Sequence, residues 1–219
     1  MRHEISIFRF IFSYRKMNDW TFFLFSHFSF LISLIFFTSC EQTYTPKRQG
    51  YFRIDFPKER KLTTYDCDDC PFTFEYPTYG TIQKDSNNVQ ELHEHPCWFN
   101  VIFPEYKGKI YLSYTKIDAT NPLDKLIKDS YKLTFKHTVK ADYIDETPIK
   151  GKNLNVSGIL YDVGGNAASG VQFYVTDSSK HFLRGSLYFY ASPNADSIAP
   201  SVQYFRKDVE HIIESLNWR

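Results

Sequence analysis

Neither sign of charge is in surplus: Lys and Arg number 26 against 25 Asp and Glu, a formal net charge of +1. Residues 1–39 hold Arg2, Arg9, Arg15 and Lys16 against Glu4 and Asp19, so the remainder is also close to neutral. A broad cationic field for phosphate backbones is therefore missing, and nucleic acid is not an expected partner. No GxSxG elbow surrounds Ser157-Gly158 or Ser169-Gly170, so neither serine reads as an activated nucleophile. Gly164-Gly165 lacks the spacing of a phosphate-binding glycine loop and reads as a turn. The pair Asp145-Glu146 and the lone His137, His181 and His211 read as solvated or structural residues. Repeats and low-complexity stretches are missing as well. The expectation is a protein that is no enzyme and carries no cofactor.

Long apolar runs are scarce too, with one exception. Trp20 to Phe37 reads WTFFLFSHFSFLISLIFF, preceded by Arg15-Lys16 and followed by Thr38-Ser39 before Cys40. That order is an export signal ending at a cysteine. Small residues before the cut admit the backbone to a peptidase cleft, and the thiol of Cys40 can take a diacylglycerol as a thioether. Several acyl chains make such anchoring stable, because each buried methylene contributes about 0.8 kcal/mol. The competing reading is an uncleaved membrane helix, since the run approaches the roughly 20 residues that span a bilayer. Translation from Met17 in place of Met1 would suit the long basic region. The expected organisation is a lipoprotein signal over 1–39, a tether with lipidated Cys40 over 40–49, and one α+β globular domain over 50–219.

Within that domain, aromatic residues make up 18% of the whole sequence's composition and fall at alternating positions. YFRIDFP (Tyr51 to Pro57), FTFEYP (Phe72 to Pro77), WFNVIFP (Trp98 to Pro104) and KIYLSYTKI (Lys109 to Ile117) each show the period-2 pattern of a strand. The last two are joined by a short glycine-containing link that suits a hairpin. Asn121-Pro122 supplies an N-cap and a first-turn proline for a helix to about Phe135. ADYIDETPI, LNVSGILYDV, GVQFYVTD and HFLRGSLYFYAS read as four more strands, with Asp177 to Lys180 as a hairpin turn. After Pro200, Val202, Phe205, Val209, Ile212, Ile213 and Leu216 form one helical face. Strands joined by hairpins, with a central and a closing helix, give an antiparallel sheet packed with helices. The order is similar to the PsbP/Mog1-like sandwich, an analogy of topology that carries no function.

The cysteines beyond Cys40 are Cys67, Cys70 and Cys97. Outside the cytoplasm a disulfide is favoured, and Cys70 with Cys97 is the preferred pair because each opens a predicted strand. The alternative is a metal or redox site drawn from Cys67, Cys70, His93, His95 and Cys97, which contain enough donors for tetrahedral zinc. Tyr111, Tyr188 and Tyr190, opposite the core-facing positions, are candidates for an exposed patch, as are the segments Gly164 to Ala168 and Ser192 to Ala199 for a partner surface.

YFRIDFP, CPFTFEYPTY, CWFNVIFPEYKGKIYLSY, LIKDSYKLTFKHTVKAD, GILYDVGGNAASGVQFYVTDSSKHFLRGSLYF and NADSIAP, taken together, resemble the gliding motility lipoprotein GldD family of Bacteroidetes. The resemblance spans nearly all of 50–219. It implies a cell-envelope lipoprotein needed for surface gliding, membrane-bound through its lipid, working with other gliding lipoproteins and the type IX secretion machinery. No catalytic residue carries over, and Cys40 is the position that transfers with a mechanism; no strongly acidic run follows it, only Glu41, and the expected side is the periplasm.

Overall fold

The computed structural model describes residues 19–36, 50, 53–84, 97–150 and 155–219. The chain divides into two compact units, residues 1–50 and 51–219. In the first, helix α1 (Asp19–Phe36) holds the apolar run. His27 Nδ1 lies 2.8 Å from Phe23 O, one turn back, and the two rings stack. Among the described residues, no helix is long and apolar enough to cross a membrane.

The second unit is an α+β sandwich of two antiparallel sheets and two helices. A three-stranded sheet has the order β1 (Leu62–Asp66), β2 (Phe72–Pro77), β10 (Asn217–Trp218). A seven-stranded sheet runs β3 (Thr81–Lys84), β4 (Trp98–Phe103), β5 (Gly108–Lys116), β9 (His181–Phe189), β8 (Ser169–Thr176), β7 (Ser157–Gly165), β6 (Ala141–Lys150). Helix α2 is Leu123–Phe135 and α3 is Ala195–Ser215.

Alternation assigns each strand's side chains to one of two faces. Phe99, Val101 and Phe103, Ile110 and Leu112, Phe173 and Val175, and Leu183 and Leu187 point inward and are almost wholly buried. Phe72 and Phe74 of β2 and Phe205, Val209 and Ile212 of α3 meet them to form the main core. The opposite, outer face is covered in part by α2, whose Leu123, Leu126, Ile127 and Phe135 pack on Tyr161, Tyr174 and Phe182. Edge strand β6 tolerates Pro148 because an edge leaves some backbone donors unneeded.

Several sequence expectations need correction. Arg53 to Pro57 joins no sheet, and Tyr51 and Phe52 lie outside the described residues. Ile54 is exposed and the alternation marks no strand; the segment is held instead by Phe56, which stacks on Tyr204 with ring centroids 4.3 Å apart, and by Tyr204 Oη, which donates to Pro57 O at 3.0 Å. Helix α3 begins at Ala195, with Pro200 inside it and Asn194 Oδ1 accepting from Ser197 N at 3.2 Å. A proline near the start removes one donor without ending a helix whose later turns are held by packing. At α2 the cap position is Pro122, with no side-chain cap; Asp118 Oδ1 instead accepts from Thr120 N and Asn121 N, both at 2.8 Å. The β4–β5 hairpin does form, its link being a 3₁₀ turn, Pro104–Tyr106, closed by Lys107 at φ 49°. Strands β1, β3 and β10 lie where the sequence pattern predicts none.

Candidate partner-docking surface

The segments Gly164 to Ala168 and 192–199, far apart in sequence, meet in space. Asn166 Oδ1 accepts from Ala195 N at 2.9 Å, so the β7–β8 turn holds the first residue of α3. Gly165 makes that turn possible at φ +84°, a conformation that disfavours any side chain, and a Cβ there would also press on Asp142 N at 2.6 Å. The two segments flank a cleft of about 160 Å³, whose walls include Val163, Phe189, Ile198 and Val202. One wall strand is fixed to α3 by Arg206, which donates to Asp162 Oδ1 and Oδ2 at 2.7 and 2.9 Å and also pairs with Glu210. Hydrogen bonding to Asp162 raises the Arg206 pKa further, against the opposing effect of burial. Such a cleft has small apolar walls and no acid–base pair, so it suits contact with a partner side chain better than chemistry.

The three tyrosines lie on the outer face, where Tyr111 borders a groove shared with α2. Tyr111 and Tyr188 pack edge to face at 6.4 Å, while Lys109 Nζ stands 4.4 Å from the Tyr111 ring and 5.2 Å from that of Tyr190. Tyr190 is 63% exposed and Trp98, across the same face, 38%. Aromatic rings held by a rigid sheet lose little entropy on docking, which is why such residues dominate interfaces. Lys109, Trp98 and Arg184 were missed in the sequence. Their outward register in β5, β4 and β9 was the available signal.

Cys70 and Cys97 are joined as a disulfide with Cα atoms 5.5 Å apart, while Cys67 is unpaired and half-buried. Burial pushes the Tyr65 phenol above its ordinary value, and Cys67 beside it adds to the effect. His93, His95 and Cys40 lie outside the described residues; among the described ones no three His, Cys, Asp or Glu side chains group as metal ligands. Ser157 Oγ and Ser169 Oγ donate to backbone carbonyls of Thr176 and Val171, and no base stands beside either in those bonds. His181 Nδ1 lies 2.9 Å from Tyr114 Oη, and His211 Nε2 lies 2.8 Å from Glu75 Oε2. Each of these groups has a structural partner.

The profile of the family described as "Gliding motility lipoprotein GldD" matches residues 41–218. The chain belongs to the GldD family. It is therefore a gliding-motility lipoprotein, a class held at a membrane through lipid. No curated protein matches it. The solution structure of cyanobacterial PsbP (CyanoP) from Synechocystis sp. PCC 6803 is similar at 10% identity and a TM-score of 0.45, covering 77% of this chain and 98% of that one. A likeness of that size carries no argument, and the α+β class rests on the strand order above.

Proposed function

We propose that this GldD family member is a non-enzymatic component of the gliding apparatus. It is anchored by acylated Cys40, faces the periplasm, and docks other gliding lipoproteins or type IX secretion components through its sandwich. The family match carries the reading: it starts at residue 41 and covers what would remain behind a lipidated Cys40. Under this reading 1–39 is the signal, 40–49 the tether and 50–219 the docking domain. Two features support binding as its work. The tyrosine-rich outer face offers rigid aromatic contacts, and the cleft between the β7–β8 turn and the start of α3 offers an apolar notch.

Proximity labelling in a gliding strain tests it, comparing the native chain with Cys40→Ala and reading cell spreading beside the captured proteins. The expected result is capture of gliding or type IX components by the native chain, with anchoring and spreading lost in the variant. Normal spreading in a strain lacking the protein, with none of those components captured, would overturn the proposal.

A further inference from the structure

Among the described residues, the buried side-chain atoms with no hydrogen-bond partner are Asn100 Oδ1, Ser130 Oγ, Gln172 Nε2 and Arg184 Nε. Asn100, Gln172 and Arg184 belong to outward-facing register positions of β4, β8 and β9, and Ser130 lies on the helix that covers this face. Native proteins pair nearly all such atoms, so a cluster of exceptions in one layer calls for a reason.

Arg184 is the most costly member of the cluster. Its Nη2 donates to Gln172 Oε1 at 2.6 Å, and Gln172, wholly buried, also accepts from Thr134 Oγ1 at 3.3 Å. No carboxylate among the described residues pairs with it. Burial accordingly pulls its pKa down, yet a guanidinium starts so high that it keeps its charge. Burial, and then the charge of Arg184, lowers the pKa of His137 on the 3₁₀ turn after α2, and an imidazole carries no negative charge in either state with which to offset the guanidinium. The protein thus maintains a half-buried, oriented cation whose Nε has no partner and which no carboxylate among the described residues pairs, an arrangement that stability alone does not favour.

This cation lines a groove of about 400 Å³ between α2 and strands β4, β5 and β9. Trp98, Tyr111, Leu126, Leu133 and Phe182 form apolar walls, Ser113 and Thr115 add hydroxyl-bearing side chains, and Ser130, only 2% exposed, borders the groove with its own hydroxyl buried. The volume falls within the range of small-ligand sites. Asp129 also lines the groove, 4.0 Å from Lys132 on the same helix. Its negative charge disfavours a dianion such as phosphate, whereas one guanidinium suits one carboxylate.

We propose that this groove binds a small organic carboxylate with an apolar body, its carboxylate on Arg184 and its body against Trp98, Leu126 and Leu133. Gln172 is the positioning residue that fixes the guanidinium. The groove shares Trp98 and Tyr111 with the aromatic face described above, but binding of a small carboxylate on Arg184 is tested independently of any partner protein.

The test titrates the full-length chain in detergent micelles with phenylacetate, using phenylacetamide as the neutral control. Readouts are the NMR signals of the Arg184 Nε–H and Trp98 indole N–H groups, with the thermal midpoint beside them. Phenylacetate should shift both signals saturably and raise the midpoint, and phenylacetamide should do neither. Arg184→Met should abolish the response while leaving the midpoint of the unliganded protein equal or higher, because an unpaired cation is gone. Leu133→Glu, at an exposed helix position that tolerates charge, should weaken binding at least tenfold should Arg184→Met fail to fold. Equal responses to acid and amide, no saturable shift, or undiminished binding in both variants would each overturn the proposal.

Discussion

Arg60 Nε donates to Asp208 Oδ1 at 2.9 Å, joining residues 148 positions apart and tying the segment before β1 to the buried side of α3. Asp208 is 1% exposed and also accepts from Tyr79 Oη at 2.6 Å. The Arg60 guanidinium donates as well to Tyr204 O at 3.0 Å and lies over the Tyr204 ring. Arg60→Ala should therefore leave a buried carboxylate without its cation, at a cost of roughly 3–5 kcal/mol. Tyr79→Phe should cost less, about 1.5–3 kcal/mol for one bond to a charged group. Urea unfolding of both single variants and the double variant measures this. Simple additivity would show that the three groups do not act as one network.

The Cys70–Cys97 bond closes a loop with a sequence separation of 27, linking the start of β2 to the residue before β4. Constraint of the unfolded chain by a loop of that length contributes about 3–4 kcal/mol. A paired Cys70→Ala, Cys97→Ala variant should unfold at correspondingly lower urea concentration, and reductant should lower the native protein's midpoint to a similar degree. Reductant that leaves the native midpoint unmoved would show that the thiols are not joined in solution.

Gly158 sits in β7 opposite Val175 of β8. A Cβ at this position would run into the carbonyl oxygen of Tyr174, and it would lie 3.0 Å from Val175 Cα. The obstruction is backbone, which cannot rotate aside as a side chain can. Gly158→Ala should thus destabilise by about 1–3 kcal/mol or more, the usual range for overpacking. Thermal unfolding against a control Ser157→Ala, which loses one 3.4 Å bond to Thr176 O, separates the steric effect from general sensitivity of the strand.

What the sequence revealed was mostly periodicity. β2, β4, β5 and the four strands β6 to β9 follow alternating residues, and α2 and the later turns of α3 follow helical spacing. Short β1 escaped because LTTYD is mostly exposed and shows no two-sided pattern. Strand β10, two residues long, exists because Trp218 and Asn217 meet Phe72 and Thr73. No local signal encodes that meeting. The β7–β8 turn and the segment 192–199 were visible singly, but their contact through Asn166 depends on where α3 lands. Arg184 illustrates the same limit: HFLRGSLYF marks it as outward-facing, a position that normally means solvent, and only the placement of α2 turns outward into half-buried. Asp208 likewise reads as a helix-surface acid until Arg60 returns to meet it.

The β8–β9 turn makes pH dependence predictable. Asp177 Oδ1 accepts from Ser179 N at 3.0 Å and from Lys180 N and His181 N, both at 2.8 Å, around Ser178 at φ 65°. Burial alone would raise the Asp177 pKa, but these donors outweigh it and hold the carboxyl at about 2. Because the folded state binds its proton more weakly than the unfolded chain does, the carboxylate contributes stability that is fully present above about pH 4. That contribution is lost as pH falls from there towards 2. Asp177→Ala should cost about 1–2 kcal/mol at neutral pH, through three unsatisfied backbone donors. Asp177→Asn keeps an acceptor but cannot titrate, so its stability difference from the native protein should shrink as the pH is lowered from 5 to 2. Urea midpoints measured across that interval decide the matter: a difference that stays constant or grows on acidification would mean that the carboxylate is not what holds the turn.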